Sequence, residues 1–429
     1  MNSLASIPGP DDITRVELAN GIIVLARANF NSPSIALSGR LASGSLFDPD
    51  EKLGLSDFTA ASLMRGTASH DFQQTYDALE SAGASLGFSG GTHTTGFGGK
   101  SLAEDLDLLL ELLAGSLRQP TFPTDQVERL RSQMLTGLAM RAQSTGDMAS
   151  LTFDQIVYAH HPYSRPEDGY PETIKSIAVK DLATFHARHY GPRGMTLAIV
   201  GGIDPAKAVE KVRAALEDWE NPEQPEVPEL PACTPLTKNV SQRVEISGKS
   251  QSDLVLGAAG PARRAADYMA ASIGNNILGQ FGMMGRIGEV VREQAGLAYY
   301  AYSGLGGGLG PGPWSVSAGV NPANEQRAVD LILSEVNRFT TELVSEDELS
   351  DTQANYIGRM PLSLEANNGV AGALLAVERY GLGLDYYQRY PELVRAITRE
   401  QVLEAAANYL HPERVGIAIA GPPANSEGN

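Results

Sequence analysis

A stripe of leucines marks the strongest predicted helix of the chain. Residues 102–117 carry leucines three and four positions apart, a spacing that places them on one face of an α-helix. Residues 127–142 predict a second helix. The leucines of the stripe are Leu106, Leu109, Leu110 and Leu113.

Short apolar runs predict strands among these helices. Residues 21–26, Gly-Ile-Ile-Val-Leu-Ala, and residues 34–40, Ser-Ile-Ala-Leu-Ser-Gly-Arg, predict two neighbouring strands. Residues 314–318 predict another strand. Helices and hairpin-like strands occur without a regular β-α-β alternation, so we predict an α+β fold with mostly antiparallel sheets.

The chain repeats itself at a spacing of about 220 residues. Residues 176–202 and 396–422 each predict a helix, a proline-marked turn and a short apolar strand. Three matched segments in the same order indicate a duplication. The two further matches are residues 80–83 with 293–296, and residues 107–110 with 330–333.

A proline-rich segment separates the two repeats. Residues 221–235 contain five prolines and no helical or strand periodicity, which is typical of an extended, semi-rigid linker. A strand-like run resumes at Val240. We therefore predict an N-terminal domain at 1–220, a linker at 221–239 and a homologous C-terminal domain at 240–429.

The composition is that of a globular, multi-domain protein with an acidic surface. The 429 residues exceed the size of about 250–300 residues at which single cores stop growing. Hydrophobic residues make up 42% and the net charge is −18, which argues against nucleic acid and against anionic membrane surfaces as partners. A basic partner or substrate is compatible with this charge, although net charge bears on solubility first.

The sequence shows no recognisable targeting signal. Residues 1–12 lack a basic start followed by an apolar run, and no stretch of 18 apolar residues occurs. Cys233 is the sole cysteine, so neither an intrachain disulfide nor a thiol-based metal cluster can form. We expect a cytoplasmic location and no membrane partner; a periplasmic location is the alternative if a leader has been removed.

The seven histidines do not form a helix-borne zinc motif of either common order. His186 and His189 would share a helix face, but no carboxylate accompanies them there. Their equivalents in the second repeat are Ala406 and Tyr409, which are packing residues. Packing is therefore favoured over metal binding, and His161 is assigned to a polar loop.

A glycine-rich run at residues 304–312 suggests a phosphate-binding loop at first sight. It lacks the Gly-Lys-Ser/Thr ending, and a predicted strand follows it instead of a helix N-terminus. A connection between strands is favoured, where glycine could also let an extended substrate approach the backbone. No Gly-x-Ser-x-Gly elbow occurs and Cys233 has no nearby base, so nucleophilic hydrolases are disfavoured.

Residues 55–67, Leu-Ser-Asp-Phe-Thr-Ala-Ala-Ser-Leu-Met-Arg-Gly-Thr, resemble the opening helix of the insulinase/pitrilysin family. These inverted zincins include mitochondrial processing peptidase and the core subunits of respiratory complexes. In the family this helix carries His-x-x-Glu-His, and a later helix supplies a glutamate ligand to zinc. The matching, degenerate zinc-site positions here are Asp57, Ala60, Ala61 and Gly137.

These four positions lack the family's zinc chemistry. Alanine can neither activate water nor bind zinc, glycine has no side chain, and one aspartate does not hold a metal. The resemblance covers nearly the whole chain, including a strand region at residues 90–92, residues 120–123 and a loop at residues 161–163. It implies that this chain has no cofactor of its own.

The second repeat carries a motif of its own. Residues 285–299, Gly-Arg-Ile-Gly-Glu-Val-Val-Arg-Glu-Gln-Ala-Gly-Leu-Ala-Tyr, resemble the family's Arg-Leu-x-x-x-Val-Arg-Glu-x-x-Gly-Leu-x-Tyr. The resemblance implies a clamshell of two domains across which Arg292 and Tyr299 reach the substrate backbone and the oxyanion. Both side chains donate hydrogen bonds that stabilise charge on a carbonyl oxygen. An ion-paired arginine and a packed tyrosine are the structural alternative.

In bacterial members of the family, the zinc-bearing chain and the Arg/Tyr-bearing chain can be separate subunits, and this chain resembles the second kind. The resemblance implies a subunit that is inert alone and serves a homologous partner, in which zinc is expected. Peptide substrates would bind in extended form at a sheet edge. Two alternatives stay open: a structural or peptide-binding protein without a catalytic role, and a self-sufficient enzyme with an unusual site.

Overall fold

The computed structural model describes residues 7–423 and divides the chain into two compact units. Unit 1 comprises Met1–Leu138, Pro166–Glu229 and Met360–Arg389. Unit 2 comprises Ala139–Arg165, Leu230–Arg359 and Tyr390–Asn429.

The strands are, in chain order, β1 (Thr14–Glu17), β2 (Ile23–Ala28), β3 (Ser34–Leu41), β4 (Ser85–Ser89), β5 (Thr95–Leu102), β6 (Thr196–Gly201), β7 (Val240–Glu245), β8 (Ser252–Ala259), β9 (Ala298–Leu305), β10 (Pro313–Val320) and β11 (Gly416–Gly421).

The helices are α1 (Leu55–Ser62), α2 (Phe72–Ser81), α3 (Leu106–Arg118), α4 (Thr124–Arg141), α5 (Thr145–Val157), α6 (Pro171–Ser176), α7 (Val179–His189), α8 (Pro205–Leu216), α9 (Tyr268–Gly279), α10 (Phe281–Ile287), α11 (Glu325–Thr341), α12 (Glu346–Ser363), α13 (Asn367–Tyr380), α14 (Tyr386–Arg395) and α15 (Arg399–Tyr409). A π-helical turn at Gly288–Gln294 follows α10.

Unit 1 is built on a sheet with the strand order β1-β2-β6-β3-β5-β4. Only β2 and β6 pair in parallel, and the other neighbours are antiparallel. The leucine stripe of α3 is buried in the core of this unit, since its four leucines are at most 2% exposed. The predicted amphipathic helix is therefore present and packs as its periodicity requires.

Unit 2 is built on a sheet with the order β7-β11-β8-β10-β9. Here β7 and β11 pair in parallel and the remaining neighbours are antiparallel. This order repeats that of unit 1 from β2 to β4, including the position of the single parallel pair. The predicted α+β fold with two related, mostly antiparallel sheets is confirmed.

Each unit takes one helix from the opposite half of the sequence. Helix α5 packs on β8 and β11 of unit 2, whereas α13 packs on β3 and β6 of unit 1. The apolar face of α5, which includes Phe153 and Ile156, is buried in a cluster with Val255 and Ala418. The compact units therefore differ at these two helices from a division of the sequence into halves.

The predicted order of the first strands is wrong. Strands β2 and β3 are not neighbours, because β6 lies between them. All six residues of β6 are buried, as expected for a strand in the middle of a covered sheet. The apolar pattern identifies such strands but does not state which strand pairs with which.

Two local predictions also change. The helix predicted from residue 102 begins at Leu106, because Leu102 ends β5 and a 3₁₀ turn follows it. Residues 90–92 form part of the turn between β4 and β5 and are not strand. The glycine run does connect two antiparallel strands, β9 and β10, as predicted.

The histidines pack as the sequence favours. His186 Nε2 lies 2.8 Å from the carbonyl oxygen of Leu117. The ring of His189 lies against Phe47 and Phe185, and burial lowers the pKa of His189 to about 4. His161 Nδ1 accepts a hydrogen bond from the backbone N–H of Tyr163, 3.1 Å away, which holds a polar loop.

Candidate functional site

Helix α1 carries three of the four positions matched to the zinc site. Its first turn is fixed by Asp48, whose carboxylate accepts hydrogen bonds from the backbone N–H groups of Gly54 and Ser56 at 3.0 and 2.9 Å. Gly54 has a φ of 93°, a left-handed conformation that favours glycine. Ala60 is 1% exposed, so its methyl group is part of the packing of α1.

Asp57 uses its carboxylate to hold a turn. Its Oδ1 accepts a hydrogen bond from the backbone N–H of Gly90, 3.3 Å away. Burial, together with the nearby charges of Asp168 and Glu167, raises the pKa of Asp57 to about 6. A Cβ atom on Gly90 would lie 2.5 Å from the Cα of Asp57, so this close approach requires glycine.

Gly137 lies on α4, which is attached to α1 through other residues. The guanidinium of Arg131 lies over the ring of Phe58, 5.1 Å from its centroid, and Arg65 donates a hydrogen bond to Gln133 at 3.4 Å. A Cβ atom on Gly137 would meet nothing within 4 Å. A side chain at this position is thus sterically possible, but glycine supplies none.

The residues at these positions do not fit a zinc ion. Ala60, Ala61 and Gly137 offer no donor atom, and the carboxylate of Asp57 is already engaged by the Gly90 turn. Within residues 7–423, no group of three or more His, Cys, Asp or Glu side chains is placed to hold a metal. Helix α1 is therefore present where the family's zinc-binding helix is expected, but it lacks the side chains that would hold zinc.

Strand β4 forms an edge of the unit 1 sheet beside α1. In the described part of the chain, it is hydrogen-bonded to β5 on one side, and its residues alternate between exposed and half-buried. An edge of this kind leaves backbone N–H and C=O groups that can pair with an extended peptide.

Arg292 lies in the π-helical turn of unit 2. Its carbonyl oxygen accepts a hydrogen bond from Gly296 N–H at 3.1 Å, and Gly296 has a φ of 63°. Leu297 N–H donates to the carbonyl of Val291 at 3.0 Å, which directs the chain into β9. The side chain is 32% exposed, and Nε lies 3.5 Å from Glu293 Oε1. Such turns, which depart from the α-helical ladder, are frequent at functional sites.

Tyr299 occupies a β-bulge at the start of the edge strand β9. Ala298 pairs with Val320 and Tyr300 pairs with Gly319, so Tyr299 is the extra residue without a partner on β10. The residue is 84% exposed, the highest value among the described exposed large hydrophobic residues. A bulge redirects a side chain, and bulges are over-represented at sheet edges and next to active sites.

Tyr300 anchors this bulge from within unit 2. Its hydroxyl donates to Asp253 Oδ1 at 2.5 Å, and Gln251 Nε2 donates to the same oxygen at 2.9 Å. Thr145 Oγ1 donates to Asp253 Oδ2. Burial and the adjacent carboxylate raise the pKa of Tyr300, so its hydroxyl stays a donor. A Cβ atom at Gly319 would lie 2.5 Å from the Tyr300 ring.

The sequence interpretation missed this anchor. Asp253 is the one acidic residue of a mostly apolar strand, Ser-Asp-Leu-Val-Leu-Gly-Ala-Ala. Tyr300 is a second tyrosine that directly follows Tyr299 of the motif. Both signals are visible in the sequence, but pairing them requires the strand order. The structure places Arg292 and Tyr299 on consecutive elements of unit 2, while Asp57, Ala60, Ala61 and Gly137 belong to unit 1.

Two stretches of the chain match models of known families. Residues 24–166 match the family model described as "Insulinase (Peptidase family M16)", and residues 176–356 match the one described as "Peptidase M16 inactive domain". The chain belongs to peptidase family M16. The degenerate positions lie in the first M16 match, whereas Arg292 and Tyr299 lie in the second.

Curated M16 relatives are similar over most of the chain. An uncharacterized zinc protease of Streptomyces coelicolor is 26% identical over 312 residues, which span 71% of this chain and 66% of that protein. An uncharacterized zinc protease of Mycobacterium leprae is 25% identical over 378 residues, 87% of this chain and 84% of that protein.

Solved structures share the M16 fold along almost the full length. A peptidase M16 inactive domain from Pseudomonas fluorescens has a TM-score of 0.87 and 28% identity, and covers 96% of this chain and 98% of its own. A protease from Helicobacter pylori has a TM-score of 0.88 at 19% identity, covering 97% and 100%, which shows the fold alone. In residues 7–423, no helix is long and apolar enough to cross a membrane.

Proposed function

We propose that this M16 chain is the zinc-free subunit of a heteromeric metallopeptidase, in which Arg292 and Tyr299 contact the peptide substrate at a partner's site. The observation that carries the proposal is the bulge at Tyr299. A tyrosine that is 84% exposed on an edge strand, beside an anchored neighbour, is available to another molecule.

The chemistry of the two side chains suits this role. A guanidinium and a phenol are both hydrogen-bond donors, and donors aimed at a carbonyl oxygen stabilise the charge that develops there during peptide hydrolysis. The Arg292 side chain is 32% exposed and its Nε pairs with the neighbouring Glu293 at 3.5 Å, so its terminal N–H groups can reach a substrate carbonyl. Since the matched positions offer at most the carboxylate of Asp57, this chain depends on a homologous subunit for the zinc chemistry.

A peptide-binding or structural role without catalysis is the second candidate. The edge strand β4 favours it, because strand addition needs only backbone groups. The two candidate functions differ in the roles of Arg292 and Tyr299. A catalytic subunit needs both side chains to contact the oxyanion, whereas a purely peptide-binding protein does not.

The test combines this chain with an M16 homologue that carries His-x-x-Glu-His, sought first in the neighbouring reading frame. We expect peptidase activity from the pair, and Arg292→Ala should lower its kcat by about 10²–10³-fold, as the removal of one oxyanion donor does. Arg327→Ala, at an exposed position of α11, is the matched control and should leave kcat unchanged. Equal kcat for both variants contradicts the catalytic role and favours the binding protein.

Metal analysis of the isolated chain addresses the remaining possibility. We expect no stoichiometric zinc and no peptidase activity without the partner, because α1 and α4 lack ligands at the matched positions. Stoichiometric metal together with activity of the chain alone would overturn the proposal of a dependent subunit.

A further inference from the structure

A cavity in unit 2, whose lining includes neither Arg292 nor Tyr299, has a volume of about 370 Å³. Its size falls within the range of small-molecule sites, about 300–1,000 Å³. Five segments contribute walls: the end of α5, the second part of the predicted linker, the end of β8, the β9–β10 loop and the turn after α15. The residues used below are Val157, Cys233, Leu236, Pro311, His411 and Arg414.

The predicted linker forms one wall of this cavity. Cys233 and Leu236 pack against the buried cluster that contains Val157. The thiol of Cys233 lies 3.9 Å from the carbonyl oxygen of Val157, and burial raises the pKa of this thiol. This end of the proline-rich segment is therefore part of a packed structure instead of a free tether.

Hydrogen bonds hold two other walls in place. The hydroxyl of Tyr158 donates to the carbonyl of Pro311 at 2.9 Å, which fixes the β9–β10 loop. Asn239 Nδ2 donates to the carbonyl of Pro412 at 3.0 Å and its Oδ1 accepts from Val415 N–H at 2.9 Å, which ties the linker to the turn after α15. Because these walls are already held in place, little conformational entropy would be lost when a ligand binds.

The cavity has one cationic side chain, and none of its described lining residues is Asp or Glu. Arg414 carries the positive charge, and His411 lies three positions before it in the same turn. Burial and the charge of Arg414 lower the pKa of His411, which favours the neutral imidazole. Asp267 is hydrogen-bonded to the wall of the cavity, because its Oδ1 accepts from the hydroxyl of the lining residue Tyr409 at 3.2 Å. The charge of Arg414 is opposite in sign to the net charge of −18 of the chain as a whole.

We propose that this cavity binds a small monocarboxylate with an apolar body, whose carboxylate contacts Arg414 and His411 and whose body packs on Val157, Leu236 and Pro311. Guanidinium groups suit carboxylates because they donate two parallel hydrogen bonds. A single cation beside apolar walls fits one negative charge and not a phosphate dianion. Free fatty or aromatic acids and the C-terminus of an apolar peptide share this chemistry.

Cys233 provides a direct readout, because it is the sole cysteine of the chain and lines the cavity. Octanoate, as a free acid, and N-acetyl-leucine, as a peptide C-terminus, should each slow its modification by N-ethylmaleimide in a saturable way. The neutral partners octanamide and N-acetyl-leucinamide should bind about tenfold or more weakly, since they lack the charged hydrogen bonds. Which acid protects at lower concentration distinguishes the two sources.

The matched variants are Arg414→Gln and Arg327→Gln, both at exposed positions. Arg414→Gln should abolish the preference for acid over amide, and Arg327→Gln should retain it. Calorimetric titration of octanoate into the full chain and into Ala258→Phe, which fills the cavity, gives a second reading that does not depend on the thiol. Equal protection by acid and amide, or binding that Arg414→Gln and Ala258→Phe both leave unchanged, would overturn the proposal.

Discussion

The two edge strands β4 and β9 occupy equivalent places in sheets of the same order, yet they differ in what they present. On α1 beside β4, the positions matched to the zinc site carry two alanines, of which Ala60 is buried, and one carboxylate that holds the Gly90 turn. At β9, a bulge exposes Tyr299, and a buried carboxylate anchors the neighbouring tyrosine. Two related sheets can therefore present different donor groups at equivalent edges while the strand order stays the same.

The largest effect on stability is expected from a substitution of Gly90, because unit 1 leaves no space for a side chain there. Gly90→Ala would bring a Cβ atom to 2.5 Å from the Asp57 backbone, so we expect a loss of about 3 kcal/mol in the free energy of unfolding of unit 1. Gly87→Ala is the matched control, because a Cβ atom at Gly87 meets nothing within 4 Å.

Urea denaturation followed by tryptophan fluorescence measures this loss. Trp219 lies in unit 1 and Trp314 in unit 2, and they are the two tryptophans of the chain. The Trp314→Phe background isolates the unit 1 signal. Equal stability of Gly90→Ala and Gly87→Ala would mean that the Gly90 turn is not held against α1.

A smaller effect is expected from Asp57→Asn, and it depends on pH. The folded pKa of Asp57 is about 6, above the ordinary value of about 3.9, so between these values the folded state binds more protons than the unfolded state. The contribution of Asp57 to stability therefore falls as pH rises from 4 to 6 and is level above that. Asp57→Asn should stabilise unit 1 by about 1–2 kcal/mol at pH 7.5, because the amide oxygen still accepts from Gly90.

The measurement is the difference in unfolding free energy between wild type and Asp57→Asn at pH 4.5 and pH 7.5. Asp11→Asn, at an exposed position, controls for the change in net charge. A difference that does not change with pH would show that the Asp57 carboxyl is solvated like an exposed one.

The smallest effect is expected from Tyr300→Phe, which removes one of three donors to Asp253. We expect a loss of about 1 kcal/mol in the stability of unit 2. If the anchor sets the direction of Tyr299, kcat of the assembled peptidase should also fall by up to about tenfold while KM stays constant. Loss of stability with unchanged kcat would limit Tyr300 to a structural role.

The sequence predicts the architecture better than the site. The apolar periods identify α3, β2, β3 and β10, and the 220-residue repeat predicts two related sheets. The order β2-β6-β3 could not be predicted, because burial patterns do not specify pairing. The bulge at Tyr299 was also out of reach, since it depends on a one-residue mismatch between β9 and β10 that neither strand shows alone.

Contacts between residues far apart in the sequence could not be predicted for the same reason. Asp253 and Tyr300 are 47 residues apart and meet only because β8, β10 and β9 are consecutive in the sheet. Helix α5 comes from the first half of the sequence but packs in unit 2, whereas α13 comes from the second half but packs in unit 1. Their placement depends on which sheet each apolar face covers. Local patterns determine that a face is buried but not against what.

The most direct test of the account compares two tyrosines of the same edge strand. Tyr299→Phe and Tyr302→Phe each remove one hydroxyl from β9, where the residues are 84% and 45% exposed. The kcat of the complex with the zinc-bearing M16 partner should fall about 10²-fold for Tyr299→Phe and stay within about twofold for Tyr302→Phe. Equal kcat for the two variants would contradict the claim that this chain supplies Tyr299 to a partner's active site.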